Sequence, residues 1–151
     1  MKWLILVYRL PRSKTTATKV GTWRKLRKLG VFPLQDSVCV LPSSEKTLHS
    51  LDWLAAELRE LGGDASLWEA EALTESQERD LREYFLEQVN IHYRKIMEEA
   101  AKAESIQEIK SLWMRFHRIK DQDHLKSPLS IQAEAACKAR AADLAREEEP
   151  K

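Results

Sequence analysis

The chain has 151 residues, is 43% hydrophobic with five tryptophans, and sets 25 Lys/Arg against 24 Asp/Glu for a net charge of +1. That bounds one domain, or a small domain with a helical extension, and excludes a disordered polyelectrolyte. Two widely separated cysteines, Cys39 and Cys137, exclude a disulfide framework or a cysteine metal cage, and no apolar run reaches the length of a membrane span. A cytoplasmic protein with no membrane partner is expected. The near-zero total hides an asymmetry. Residues 1–35 hold nine Lys/Arg and no acid, residues 36–104 hold seven basic against sixteen acidic residues, and the remainder is nearly balanced. A basic segment on an acidic body points to a polyanionic partner.

Lys2 to Leu10 is rich in Trp, Ile, Leu, Val and Tyr and stops at Pro11, which predicts a buried central strand. A polar loop with Arg12 and Lys14 follows, then a helix from about Ala17 to Leu29 ended by Gly30. Val31–Leu34 and Val38–Leu41 read as strands joined by the turn chemistry of Gln35-Asp36-Ser37. Ser43 or Ser44 caps a second helix whose Leu51, Leu54, Leu58 and Leu61 form one stripe, and Gly62-Gly63 ends it. Ala65 to Leu73 reads as a fourth strand.

The order strand, helix, strand, strand, helix, strand is the split βαβ, ferredoxin-like pattern, an α+β fold placed at residues 1–73. It predicts a four-stranded antiparallel sheet with two helices on one face; the opposite face must be covered or serve a partner. Residues 74–151 read as an all-helical extension. Thr74-Glu75-Ser76-Gln77 is a capping box for a helix reaching about Ala103, with Leu81, Phe85, Val89, His92 and Ile96 on its apolar side. Ser105 caps another, with Ile106, Ile109, Trp113, Phe116 and Ile119 on one stripe. After a break at Lys126–Pro128, a weaker alanine-rich helix spans about Ser130 to Ala145. The two strong helices are expected to pack as a hairpin.

The stretch Trp23-Arg24-Lys25-Leu26-Arg27-Lys28-Leu29-Gly30 carries the functional signal. On a helix, Trp23, Leu26 and Leu29 share a core-facing side, and Arg24, Lys25, Arg27 and Lys28 occupy the other. Arg9, Arg12 and Lys14 fall just upstream, so these seven cations are the candidate DNA-binding residues. Phosphate contacts require only long cationic side chains at backbone spacing. Lys110, Arg115, Arg118 and Lys120 form a second cluster that reads as a solvated face. Catalytic and metal-binding patterns are lacking: the four histidines are scattered, with His92 expected in the core and His117 in solvent, and no Gly-rich phosphate loop occurs. Glu69 and Glu71 read as solvent-facing, Cys39 as a small core residue, and Glu87 with Arg94 or Lys95 as surface pairing. No catalytic residue, metal site or cofactor is assigned.

The segments Trp3–Pro11, Trp23–Gly30, Leu34-Gln35 and Val38–Pro42, followed by Trp53–Leu58, Gly62-Gly63, Phe85, Tyr93 and the Asp121–Asp123 region, strongly resemble the N-terminal domain of the chromate-resistance regulator ChrB. The front half is more distantly similar to the ferredoxin-like module of the repressor PaaX and of the small CRISPR spacer-acquisition nuclease, which commonly dimerises through sheet edges. The resemblance implies a dimeric, non-enzymatic DNA-binding regulator of chromate resistance, with an oxyanion as a candidate effector. The nuclease relatives hold a divalent metal through an Asp at the end of the first strand. Arg9 stands there in this chain, which argues against metal-dependent cleavage. Full-length ChrB regulators continue into a further C-terminal domain thought to sense chromate, and this chain ends where that domain would begin. The alternative reading is a protein-interaction module in which the cationic helix docks an acidic partner.

Overall fold

The computed structural model describes residues 1–11 and 16–148. In chain order the elements are β1 (Trp3–Arg9), α1 (Thr16–Leu29), β2 (Phe32–Gln35), β3 (Val38–Pro42), α2 (Glu45–Glu60), β4 (Asp64–Ala70), α3 (Glu75–Lys102), α4 (Ile106–Gln122) and α5 (Leu129–Glu148). The result is a mixed α/β protein with a four-stranded antiparallel sheet and a helical C-terminal part. It divides into two compact units, Met1–Tyr84 and Phe85–Lys151, with the first turns of α3 belonging to the first unit.

In the first unit the strand order is β2-β3-β1-β4. The most apolar strand, β1, takes an interior place between β3 and β4, as expected for a segment whose two faces both need cover. Pairing of Leu4 with Leu41 and Leu6 with Cys39 puts these four buried residues on one face. Helix α2 packs on β1 and β4. It buries Leu51, Leu54, Ala55 and Leu58, a stripe at helical spacing. Ser44, rather than Ser43, is its N-cap. Ser44 Oγ accepts from Thr47 N at 3.1 Å, while Thr47 Oγ1 accepts from Ser44 N at 2.9 Å. Thr47 Oγ1 also donates to the Pro42 carbonyl at 2.6 Å, which fastens the helix start to the end of β3. Ser43 turns instead to Glu69, its hydroxyl donating at 2.8 Å.

The other sheet face carries Trp3, Ile5 and Val7, with Val40 and Trp68 opposite Ile5. The start of α3 covers one end of it. Trp3 Nε1 donates to Glu78 at 2.8 Å, and Tyr84 packs edge-on against Phe32 at 4.7 Å. At the other end Val7 is exposed and Trp68 is 60% exposed. Strand β4 stops at Ala70, short of the expected Leu73, because its partner β1 begins at Trp3, opposite Ala70. Leu73 is left in solvent. The two edges differ. β2 has four residues, contains Pro33 and has an irregular register, whereas β4 has seven.

In the second unit α3, α4 and α5 share one core: Val89, Tyr93, Ile96 and Ala100, then Ile109, Leu112 and Phe116, then Ala133, Cys137 and Leu144. His92, expected on the apolar side of α3, is exposed, and Tyr93 is fully buried in its place. The steps Phe85, Val89, Tyr93 are each one helical turn, and Tyr93 brings a larger apolar ring whose hydroxyl donates to Asp123 Oδ2 at 2.9 Å. Asp123 also accepts from Ser127 N at 3.0 Å, and the Ser127 hydroxyl donates to Asn90. This network holds the connection before α5, where Lys126 adopts φ 56°. Small residues on α5 allow close approach to its neighbours, and Arg140 Nε donates to the Ala103 carbonyl at 2.8 Å. No helix among the described residues is long and apolar enough to cross a membrane.

Candidate nucleic-acid interface

Helix α1 has no acid in its first turn and ends in Arg27 and Lys28, whose charges suit the negative end of the helix dipole. Gly30, at φ 76°, closes it. Gly30 N donates to the Arg27 carbonyl at 3.0 Å and Val31 N to the Leu26 carbonyl at 3.4 Å, a Schellman arrangement. The buried strip of α1 is Thr22 and Leu26, with Leu29 half-buried. Trp23, expected in that strip, is 45% exposed, because one residue turns about 100° from the line through Thr22 and Leu26. It falls on the flank of the helix.

Arg24, Arg27 and Lys28 lie within about 100° of one another on the side opposite the buried strip, and all are exposed. Arg24 has no ion-pair partner among the described residues. Lys25 lies on the flank facing α2, where its ammonium pairs with Glu57. Arg9, at the end of β1, pairs across the strand with Asp64, its register partner. Both pairs are exposed enough for water to screen them, so each holds its geometry by no more than about 1 kcal/mol. A polyanion can therefore recruit either cation without a large loss. Arg12 and Lys14 lie outside the described residues. The structure thus places Arg24, Lys25, Arg27 and Lys28 on one helix and sets Arg9 at the end of the neighbouring strand.

Between α1, the end of β1 and the β2–β3 turn lies a cavity of about 870 Å³. Arg9 lines it from the strand, and Lys19 and Trp23 line it from the helix. Lys19 was not singled out from the sequence. The signal available there is its spacing: Lys19, Trp23 and Leu26 stand at i, i+4 and i+7, one side of a helix. Burial pushes the Cys39 thiol up to about 12, so at neutral pH it is an uncharged core group, as expected. The Tyr8 phenol is also raised, first by burial and then by Cys39 and Asp36.

The other sequence candidates stay on the surface. Glu69 lies beside Ser43 and Lys2; the Ser43 hydroxyl, then Lys2, holds its carboxyl below the usual range. Glu87 pairs with Arg94 at 3.1 Å. In the second unit Arg115 pairs with Glu99 at 2.6 Å, Lys120 lies over the Phe116 ring, and exposed His117 stacks on Trp113 at 6.0 Å. Among the described residues no group of three His, Cys, Asp or Glu is placed to hold a metal ion.

The first unit is thus an antiparallel α/β module presenting a cationic helix, joined in sequence to a helical unit. The family model for "Protein ChrB, N-terminal" matches residues 19–123, which begins inside the first turn of α1 and reaches the end of α4. The chain belongs to this ChrB N-terminal family, a domain of chromate-resistance regulator type. No curated protein matches the chain.

Proposed function

We propose that this chain is a non-enzymatic, DNA-binding regulatory domain of chromate resistance that grips the phosphate backbone through the outer face of α1. The observation that carries the reading is the acid-free row Arg24, Arg27 and Lys28, with Lys25 on its flank, on a helix held by its own capping and core contacts. Arg9, and Arg12 and Lys14 upstream of the helix, extend the gripping set. The ferredoxin-like description of the first unit is supported by the element order through β4 and the strand order β2-β3-β1-β4. A homodimer is the proposed working form, supported by the apolar, partly open sheet face at Val7 and Trp68. An oxyanion effector would act by competing with phosphates for the same cations.

The test is a fluorescence-anisotropy titration on the promoter of the chain's own operon across a salt series, with and without chromate. Four neutralised phosphates give a log–log slope of roughly −3.6 per protomer, from about −0.9 each. Replacing Arg24, Lys25, Arg27 and Lys28 by alanine abolishes most of that slope. Unchanged binding by this variant removes the assignment. Stronger binding to an acidic protein than to duplex DNA at moderate salt favours a protein-docking role for the same face.

A further inference from the structure

The cavity beneath α1 has a chemistry that phosphate gripping does not use. Its volume of about 870 Å³ is far more than an inorganic oxyanion needs. It falls in the range of about 300–1,000 Å³ typical of sites for small organic molecules. Leu26, Pro33 and Val38 supply apolar lining, and the Trp23 indole is left 45% exposed beside them. A half-open indole offers a planar ring a stacking surface. The polar groups are few and differ in kind. Tyr8 and Cys39 are neutral, protonated donors at neutral pH. Arg9 is already paired with Asp64. Lys19, one turn before Trp23, is an exposed cation with no ion-pair partner among the described residues. Asp36 also lines the cavity, so a multiply charged anion would meet a carboxylate there. A single negative charge on an aromatic body gives Lys19 a counter-ion and Trp23 a stacking partner, and leaves one charge instead of several to face Asp36.

The geometry points to a binding site for a planar aromatic monocarboxylate, with its ring against Trp23 and its carboxylate on Lys19. The site stands on the cavity alone. Its regulatory meaning rests on the function proposed above: Lys19, Trp23 and Leu26 occupy one side of the helix whose other sides carry Arg24, Lys25, Arg27 and Lys28. A ligand lodged under α1 therefore acts on the element that meets DNA.

Isothermal titration calorimetry on the full chain, without DNA, tests the site with 2-naphthoate, the neutral 2-naphthalenemethanol and sulfate as probes. Saturable one-to-one binding of 2-naphthoate is expected, with the alcohol about tenfold weaker and sulfate unable to displace the aromatic acid, in line with a charge-assisted contact. Lys19→Met, at an exposed position, lowers the 2-naphthoate affinity about tenfold, and Trp23→Ala abolishes binding while circular dichroism stays unchanged. The proposal is overturned if no saturable heat appears up to millimolar 2-naphthoate. It is equally overturned if sulfate competes as well as the aromatic acid, or if Lys19→Met binds like the parent. A separate anisotropy titration on operator DNA keeps the two readings apart. A protein that takes 2-naphthoate but not DNA retains the pocket and loses the regulator; one that binds DNA but no aromatic acid does the reverse.

Discussion

Replacing Gly63 by alanine tests how tightly α2 is laid against the sheet. Gly63 N donates to the Leu58 carbonyl at 2.9 Å, closing the helix, and the next residue, Asp64, opens β4 opposite Arg9. A Cβ on Gly63 would stand inside 3.0 Å of the Arg9 carbonyl oxygen and at 3.2 Å from the Leu58 carbonyl oxygen. Both are backbone atoms, so no side-chain rotation relieves the clash. Reaching even 3.4 Å, where ordinary contact begins, requires the end of β1 to retreat by at least 0.4 Å. The variant either opens the last β1–β4 pair or lengthens the Gly63–Leu58 bond. One or two weakened backbone hydrogen bonds cost about 1 kcal/mol each. Overpacking adds about 1–3 kcal/mol, and the stiffer unfolded chain returns about 0.4–1 kcal/mol. The net is a loss of about 3 kcal/mol, or roughly 6–12 °C in melting temperature. Trp3, Trp23, Trp53 and Trp68 all belong to the first unit, so tryptophan fluorescence during urea unfolding reports chiefly on it. A loss below about 0.5 kcal/mol would show that this close approach is not a real constraint.

Gly21→Ala has the opposite sign: it lies within α1 with no heavy atom within 4 Å of its added Cβ, and should stabilise the first unit by about 0.5–1 kcal/mol in the same urea assay. Tyr93→Phe leaves Asp123 Oδ2 without its phenolic donor and should cost about 1–2 kcal/mol, read by circular dichroism of the helices. Cys39 gives an alkaline signature. Its thiol is raised in the folded state, so the unfolded chain loses its proton first, and stability falls as pH climbs from about 9 to about 12. The slope is about 1.4 kcal/mol per pH unit for this one group, and Cys39→Ala should flatten it in melts across that window. Glu57→Gln releases Lys25 from its ion pair and should strengthen binding to a polyanion by no more than a few-fold, the scale of an exposed pair, measured by anisotropy at low salt.

Much of this architecture was legible because local signals agreed with one another. Pro11, Pro42, the Ser44 and Ser105 caps and Gly30 each punctuate the chain where an apolar pattern also changes, so the elements fell within a few residues of their places. The misses have tertiary causes. Leu73 cannot continue a strand whose partner has run out. His92 and Tyr93 are adjacent and both fit a helical repeat, and the position of Asp123, which accepts from the phenol, favours burying the tyrosine. Trp23 is apolar enough for the core, but Thr22 is small enough to sit closer to it, leaving the indole on the helix flank. The cations of α1 could be read from their spacing, whereas their partners could not. Asp64 and Glu57 reach Arg9 and Lys25 only through strand pairing and helix packing, which no local pattern encodes. The cavity was invisible for the same reason, since it is built from three separate stretches of chain.

The unequal rims of the sheet bear on stoichiometry. β2 offers four residues interrupted by a proline, a poor template for another chain, while β4 offers seven. Were copies to join by adding strand to strand, each would have one adhesive border and one blunted border. Such growth terminates at a closed pair instead of running on into a filament.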